Sequence, residues 1–163
     1  MPPLLVLILA VLAVTYAGPV IRFTTAPAVA IAFWRLALVL PVTLGLSLRE
    51  SRRSLDRNTV LLMVLSGLLL AAHFWSWIAS LRFTTVASSV LLVNVRPIIV
   101  WAIAATWLHE QPGPRERWGI GLAVLGATLI GVGDARLSLG ALGGDLLALA
   151  GAVAAAGYSV IGR

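Results

Sequence analysis

RFTTVASSVLLVNVRPIIVWAIAATWL, from Arg82 to Leu108, decides how the chain folds. After its polar opening, the 23 residues from Val86 to Leu108 contain one charged side chain, Arg96. A helix of that length, at about 1.5 Å per residue, crosses the roughly 30 Å of hydrocarbon in a bilayer. Working outward, five further apolar runs appear, approximately Leu4 to Ile21, Pro27 to Leu48, Thr59 to Leu81, Trp118 to Gly133 and Gly144 to Gly162. The connections "RFTTA", "RFTT", "RESRRSLDRN" and "HEQPGPRER" are short or polar, and "DARLSLGALGG" is glycine-rich with Asp134 and Asp145 near its ends. The expected fold is an all-α integral membrane protein of about six transmembrane helices packed as antiparallel hairpins.

Composition agrees with that reading and excludes others. Of the 163 residues 60% are hydrophobic and 11% charged, outside the range of soluble domains. The twelve basic residues are all arginine and fall mostly between the runs, so the net charge of +6 describes loops and offers no contiguous face to a nucleic acid. There is no cysteine, which removes disulfides, thiolate metal sites and cysteine nucleophiles. No GxSxG, HExxH, Walker loop, paired intramembrane carboxylate or His/Asp metal cluster occurs, so the chain does not read as an enzyme and calls for no metal or cofactor.

Arginine counting gives an orientation. With the amino terminus in the cytoplasm, Arg49, Arg52, Arg53, Arg57, Arg115, Arg117 and Arg163 lie inside and Arg22, Arg82 and Arg136 outside. That asymmetry follows the positive-inside rule. Thr15 and Ala17 resemble a small-x-small cleavage site, but the first run lacks a basic leader and reads as a membrane helix. The tetrapeptide RFTT occurs at Arg22 and again at Arg82, at the two outer turns. An arginine there reaches headgroups, and a threonine caps the following helix.

Two other arginines need a different explanation. Arg35 lies nine residues into a 22-residue run and Arg96 eleven into a 23-residue run, both near mid-bilayer. A central arginine costs about 2.5–3.5 kcal/mol on insertion scales. No membrane-spanning run is read as holding an Asp or Glu that could answer them, which leaves carbonyls, hydroxyls, aromatic faces, water or an anionic ligand as partners. Pro97 would free a carbonyl beside Arg96, and Thr85, Ser89 and Leu92 extend the face that carries Arg96. The third run has its own polar stripe, with Ser66, His73 and Ser80 every seventh residue and Ser76 and Trp77 alongside. His73 is read as the only ionisable group besides these arginines well inside the membrane, so proton coupling would have to use it. Depth places Trp101 in a pocket and leaves Trp75 undecided between pocket and interface. Gly119, Ala123, Ala127 and Gly131 form a small-residue ridge for close helix approach.

Taken together, "AFWRLALVLP", "HFWSWIASLRFTTVASSVLLVNVRPIIVWAIAATWLHEQP" and "GIGLAVLGATLIGVGD" resemble the EamA-type branch of the drug/metabolite transporter superfamily. The resemblance runs over essentially the whole chain and rests on Arg35, Pro97, Glu110 and the glycines Gly119, Gly121 and Gly126. It implies ten helices in two inverted five-helix repeats around a central substrate cavity, with residues 1–134 as the first repeat and 135–163 opening a second that is cut short. Arg96 stands where the resemblance implies a small polar residue. It further implies a secondary-active exporter of small polar metabolites such as amino acids, in the inner or plasma membrane, working by alternating access. The expected substrate-binding set is Arg35, His73, Trp77, Ser89, Arg96 and Trp101, facing a small molecule that bears a carboxylate; Pro97 and the Gly119–Gly131 ridge are the expected structural or hinge positions. A homodimer of complete small transporters, or a non-transporting subunit whose arginines pair with a partner's acids, are the alternatives.

Overall fold

A computed structural model describes residues 3–47, 56–107 and 113–162. Glu110, Arg49, Arg52, Arg53 and Arg163 lie outside the described residues, as does the side chain of Arg136. The described residues form seven helices: α1 (Pro3–Phe23), α2 (Ala28–Ser47), α3 (Arg57–Ser80), α4 (Val86–Val93), α5 (Arg96–Trp107), α6 (Pro114–Leu137) and α7 (Leu139–Ile161). Among the described residues, five spans are long and apolar enough to cross a membrane, with α4 and the start of α5 forming one of them. α6 is as long as α3 but is not among the five, because glycine and the charged residues at its ends dilute it. Leu38, Leu61, Leu122 and Leu129 are all more than 60% exposed. A surface so apolar is stable only against lipid. The chain is a multi-pass membrane protein.

The fourth run is two helices where one was expected. Pro97 has no N–H to give the carbonyl of Val93, four residues back, so the α-helical ladder fails there. The chain tightens instead: Val95 N–H bonds Leu92 O at 3.2 Å and Ile98 N–H bonds Val95 O at 2.9 Å. Asn94 adds a bond from its side-chain amide to Val90 O at 2.7 Å. The result is a broken helix that restarts at Arg96, with Pro97 in the first turn of α5, where a missing N–H is tolerated.

α7 holds the bundle together. Its buried face is Ala141, Gly144, Ala148, Gly151, Ala152, Ala155 and Ala156, and its most extensive contact is with α3. Small side chains let the two backbones approach closely, which is how helices gain contact energy in lipid. A Cβ on Gly151 would sit 3.0 Å from Ser76 Oγ, and one on Gly144 only 2.7 Å from the backbone nitrogen of Thr84. α7 also packs against α4, α5 and α6, while α2 packs against α3. A second core, Ile21, Ala32, Trp77, Ile78 and Leu81, ties α1 and α2 to α3.

The two RFTT segments fasten to each other. The Arg22 guanidinium donates to the carbonyls of Leu81 and Thr84 in the second turn, and the Arg82 guanidinium donates to the carbonyl of Ala26 in the first. The two arginines therefore satisfy carbonyls of the turns themselves and of the C-terminal end of α3. Capping is divided unevenly: Thr85 Oγ1 accepts from Ser88 N–H at 3.0 Å and starts α4, whereas Thr24 closes a local turn by accepting from Ala26 N–H. Asp56 caps α3 by accepting from the backbone N–H and the hydroxyl of Thr59. Those bonds hold its carboxyl below the usual carboxylate range.

Candidate functional site

A cavity of about 440 Å³ opens between α1, α2, α3 and the broken α4–α5 segment. Arg35, His73, Trp77 and Arg96 line it, joined by Phe74 and Asn94. Each element supplies its side chain for a local reason. α2 carries Arg35 inward opposite the lipid-facing Phe33 and Trp34. α3 presents His73, Phe74 and Trp77 along one face, since residues three and four apart share a side of a helix. Asn94 and Arg96, at the break after Val93, complete the wall.

The Arg35 guanidinium rests on aromatic faces. Its central carbon is 4.8 Å from the Phe74 ring centre and 5.6 Å from that of Trp77. Each such contact contributes about 0.5–2 kcal/mol, so the pair offsets a large part of the roughly 2.5–3.5 kcal/mol that a central arginine costs. Among the described residues no hydrogen bond uses the Arg35 guanidinium, so the flat of the cation is held by the protein while its N–H edge remains available. His73 lies parallel to Trp77, with ring centres 6.4 Å apart and 4° between planes. Its Nδ1 is 2.9 Å from the Gly151 carbonyl. A carbonyl only accepts, so Nδ1 carries the hydrogen and, in the neutral ring, Nε2 is left as an acceptor.

Two expected residues lie elsewhere. Ser89 is fully buried, and its hydroxyl is 2.6 Å from that of Ser80. Ser80 uses its own hydrogen on the Trp77 carbonyl at 2.6 Å, so Ser89 donates and Ser80 accepts. Ser89 thereby locks α4 to α3 outside the cavity. Trp101 is half-buried on α5, with its indole N–H buried and without a partner among the described residues. Of the α6 ridge, Ala127 and Gly131 line a second, apolar cavity, while a Cβ on Gly119 or Gly131 would touch nothing within 4 Å. The close small-residue contact is made by α7 instead. Pro97 stands at the α4–α5 break.

Residues 1–132 match the sequence profile of the EamA-like transporter family. The chain belongs to the EamA-like transporter family. It is 31% identical over 107 residues to a riboflavin transporter of Brucella anthropi, a match that takes in 66% of this chain and 38% of that protein. The match thus takes in well under half of that relative. No solved structure matches it. Family membership points to transport rather than catalysis.

This EamA-like chain also holds a buried acidic pair. Asp134 and Asp145 were expected at the ends of a connection; they lie instead within α6 and α7, 7% and 3% exposed. His73 is accordingly not the only ionisable side chain inside the helices besides the arginines. The signal that would have found them is the helical register of Ala141, Gly144, Asp145 and Ala148, which puts Asp145 on the packing face of α7.

Proposed function

We propose that the protein is a secondary-active transporter that moves small polar metabolites bearing a carboxylate, amino acids among them, out of the cell by alternating access. The convergence of Arg35, Arg96, His73 and Trp77 on one cavity carries this reading. Two cations without a carboxylate between them attract an anion and repel a cation. Arg35 is backed by rings and keeps its fork of donors for a planar carboxylate, Arg96 adds charge from the rim, and His73 Nε2 accepts from a donor on the substrate. Alternating access places the site between two inverted repeats. α7, which follows the family match, is in this reading the first helix of a second repeat, and the other half of the cavity comes from the rest of that repeat or from a second copy. The arginine asymmetry supports a plasma-membrane protein with its amino terminus in the cytoplasm.

The test is counterflow in proteoliposomes with labelled glutamate, alanine and lysine. Glutamate and alanine should exchange and lysine should not. Arg35→Gln and Arg96→Gln should each lower exchange by about tenfold or more, since a charged hydrogen bond contributes about 1.5–3 kcal/mol and 1.4 kcal/mol is tenfold. Lysine exchange matching that of glutamate would overturn the proposal.

One observation favours a second reading. Phe74, Trp77 and His73 form a ring-lined wall, which suits a planar heteroaromatic substrate, and the Brucella anthropi relative is named a riboflavin transporter. Riboflavin competing with glutamate for exchange would favour this reading.

A further inference from the structure

α6 and α7 bring two carboxylates to one hydroxyl. Thr84 Oγ1 is 2.8 Å from Asp134 Oδ2 and 2.8 Å from Asp145 Oδ1, and all three residues are at most 7% exposed. A threonine hydroxyl has one hydrogen, so it donates to one carboxylate only. Its contact with the other is a hydrogen bond when that carboxyl carries a hydrogen and donates to the Thr84 lone pair. With both acids ionised, one carboxylate would face the Thr84 lone pair at 2.8 Å and two like charges would lie buried on either side of one hydroxyl, which is strongly unfavourable even with the Ser88 hydroxyl on Asp134.

A second observation points the same way. Asp145 Oδ2 is buried and has no hydrogen-bond partner among the described residues. Among the described residues, Asp145 is the one ionisable side chain lining an apolar cavity of about 360 Å³ walled by Leu92, Ile98, Val124 and Leu146. An ionised carboxylate lining such a wall is poorly solvated, whereas a neutral carboxylic acid is tolerated there.

We propose that Asp134 and Asp145 share one exchangeable proton through Thr84 and form a proton-binding site distinct from the Arg35 cavity. The occupied site carries one negative charge and the empty site two; release transfers the proton to water and forms no other bond. Among the described side chains, the surrounding charges are compatible with a single negative charge. Arg22 of α1 donates to the carbonyl of Thr84 at 2.6 Å, and Arg82 is turned to Ala26. α4 brings no charge; its Ser88 hydroxyl bonds Asp134, while Ser89 is committed to Ser80. His73 of α3 is fixed to Gly151, six residues and roughly 9 Å farther along α7, and Arg96 of α5 lines the other cavity. The occupied site fastens α6 and α7 to the α3–α4 turn, and release sets like charges across the same junction. If the transport reading holds, proton release there is a means of driving the helices apart. The proton site itself does not depend on that reading.

Infrared spectroscopy of the reconstituted protein, titrated across neutral pH without substrate, tests it. The chain has six acids in all, which keeps assignment simple. The expected result is a carboxylic-acid C=O band present at neutral pH and bleached at alkaline pH. It should disappear in both Asp134→Asn and Asp145→Asn and shift in frequency, without disappearing, in Thr84→Val. Absence of such a band at neutral pH in the unsubstituted protein, or its survival in both asparagine variants, overturns the proposal. Bleaching by sodium at constant pH overturns it in favour of a metal-cation site. Loss of substrate exchange with the band intact would count against the transport reading alone.

Discussion

Neighbouring glycines on α7 should respond to alanine with opposite signs. A Cβ at Gly144 would lie 2.7 Å from Thr84 N, 2.8 Å from Thr84 Cβ and 2.9 Å from Phe83 Cβ. The closest of these is a backbone atom, about 0.7 Å inside the 3.4 Å at which ordinary contact begins, so no rotamer change relieves it. Either α7 or the RFTT turn must move, and the turn is fixed by Arg22. Overpacking of this kind costs about 1–3 kcal/mol, against a gain of about 0.5–1 kcal/mol from replacing a helical glycine by alanine. The net expectation for Gly144→Ala is a loss of roughly 1–2 kcal/mol. At Gly143 nothing lies within 4 Å, so Gly143→Ala keeps only the propensity gain. For a chain of this size 1 kcal/mol moves the midpoint by about 2–4 °C, so thermal unfolding in one detergent should place the two variants on opposite sides of the parent. Equal stability, or Gly144→Ala as the more stable variant, would refute the close approach of α7 to the α3–α4 turn.

Four further outcomes follow from named contacts. Ser80→Ala should cost about 1–3 kcal/mol because the buried Ser89 hydroxyl loses its acceptor, and Ser89→Ala should cost less because Ser80 keeps the Trp77 carbonyl; denaturant titration gives the order. Thr85→Ala should lower stability by about 1 kcal/mol through loss of the α4 cap, while Thr85→Ser should not. Asp56 has a lowered native pKa, so its contribution to stability is present above its unfolded pKa and fades as pH falls through the native value. Asp56→Asn keeps the cap and should flatten that acid limb in a pH series of melting curves. Pro97→Ala restores an N–H at the α4–α5 break, and it should raise helix content by circular dichroism while lowering exchange.

The runs themselves were legible because about twenty apolar residues in a row have few alternatives to a membrane helix. α1, α2 and α3 begin and end within two residues of the sequence expectation. The break in the fourth run was signalled by Pro97, but a freed carbonyl does not say whether a helix bends or restarts; that depends on Asn94 and Val95 finding bonds three and four residues back. The depth of Arg35 could be read from its place in the run, and its partners could not, because Phe74 and Trp77 belong to another helix. Asp134 and Asp145 were the harder case. Eleven residues apart, among glycines and beside a helix boundary, they have the local character of a loop, and only the packing of α7 on the α3–α4 turn brings them together at Thr84. Ser89 lay on a polar helix face, which states that a partner exists without saying whether it is a ligand or Ser80.

In the proposed transport cycle the cavity arginines hold the substrate's carboxylate. The most direct measurement is competition for exchange between alanine and its amide, which differ at the carboxyl group alone, in the parent protein and in Arg35→Gln. We expect the parent to prefer alanine by about tenfold or more, and the variant to lose most of that preference. An unchanged preference in Arg35→Gln would contradict the role assigned to the arginine.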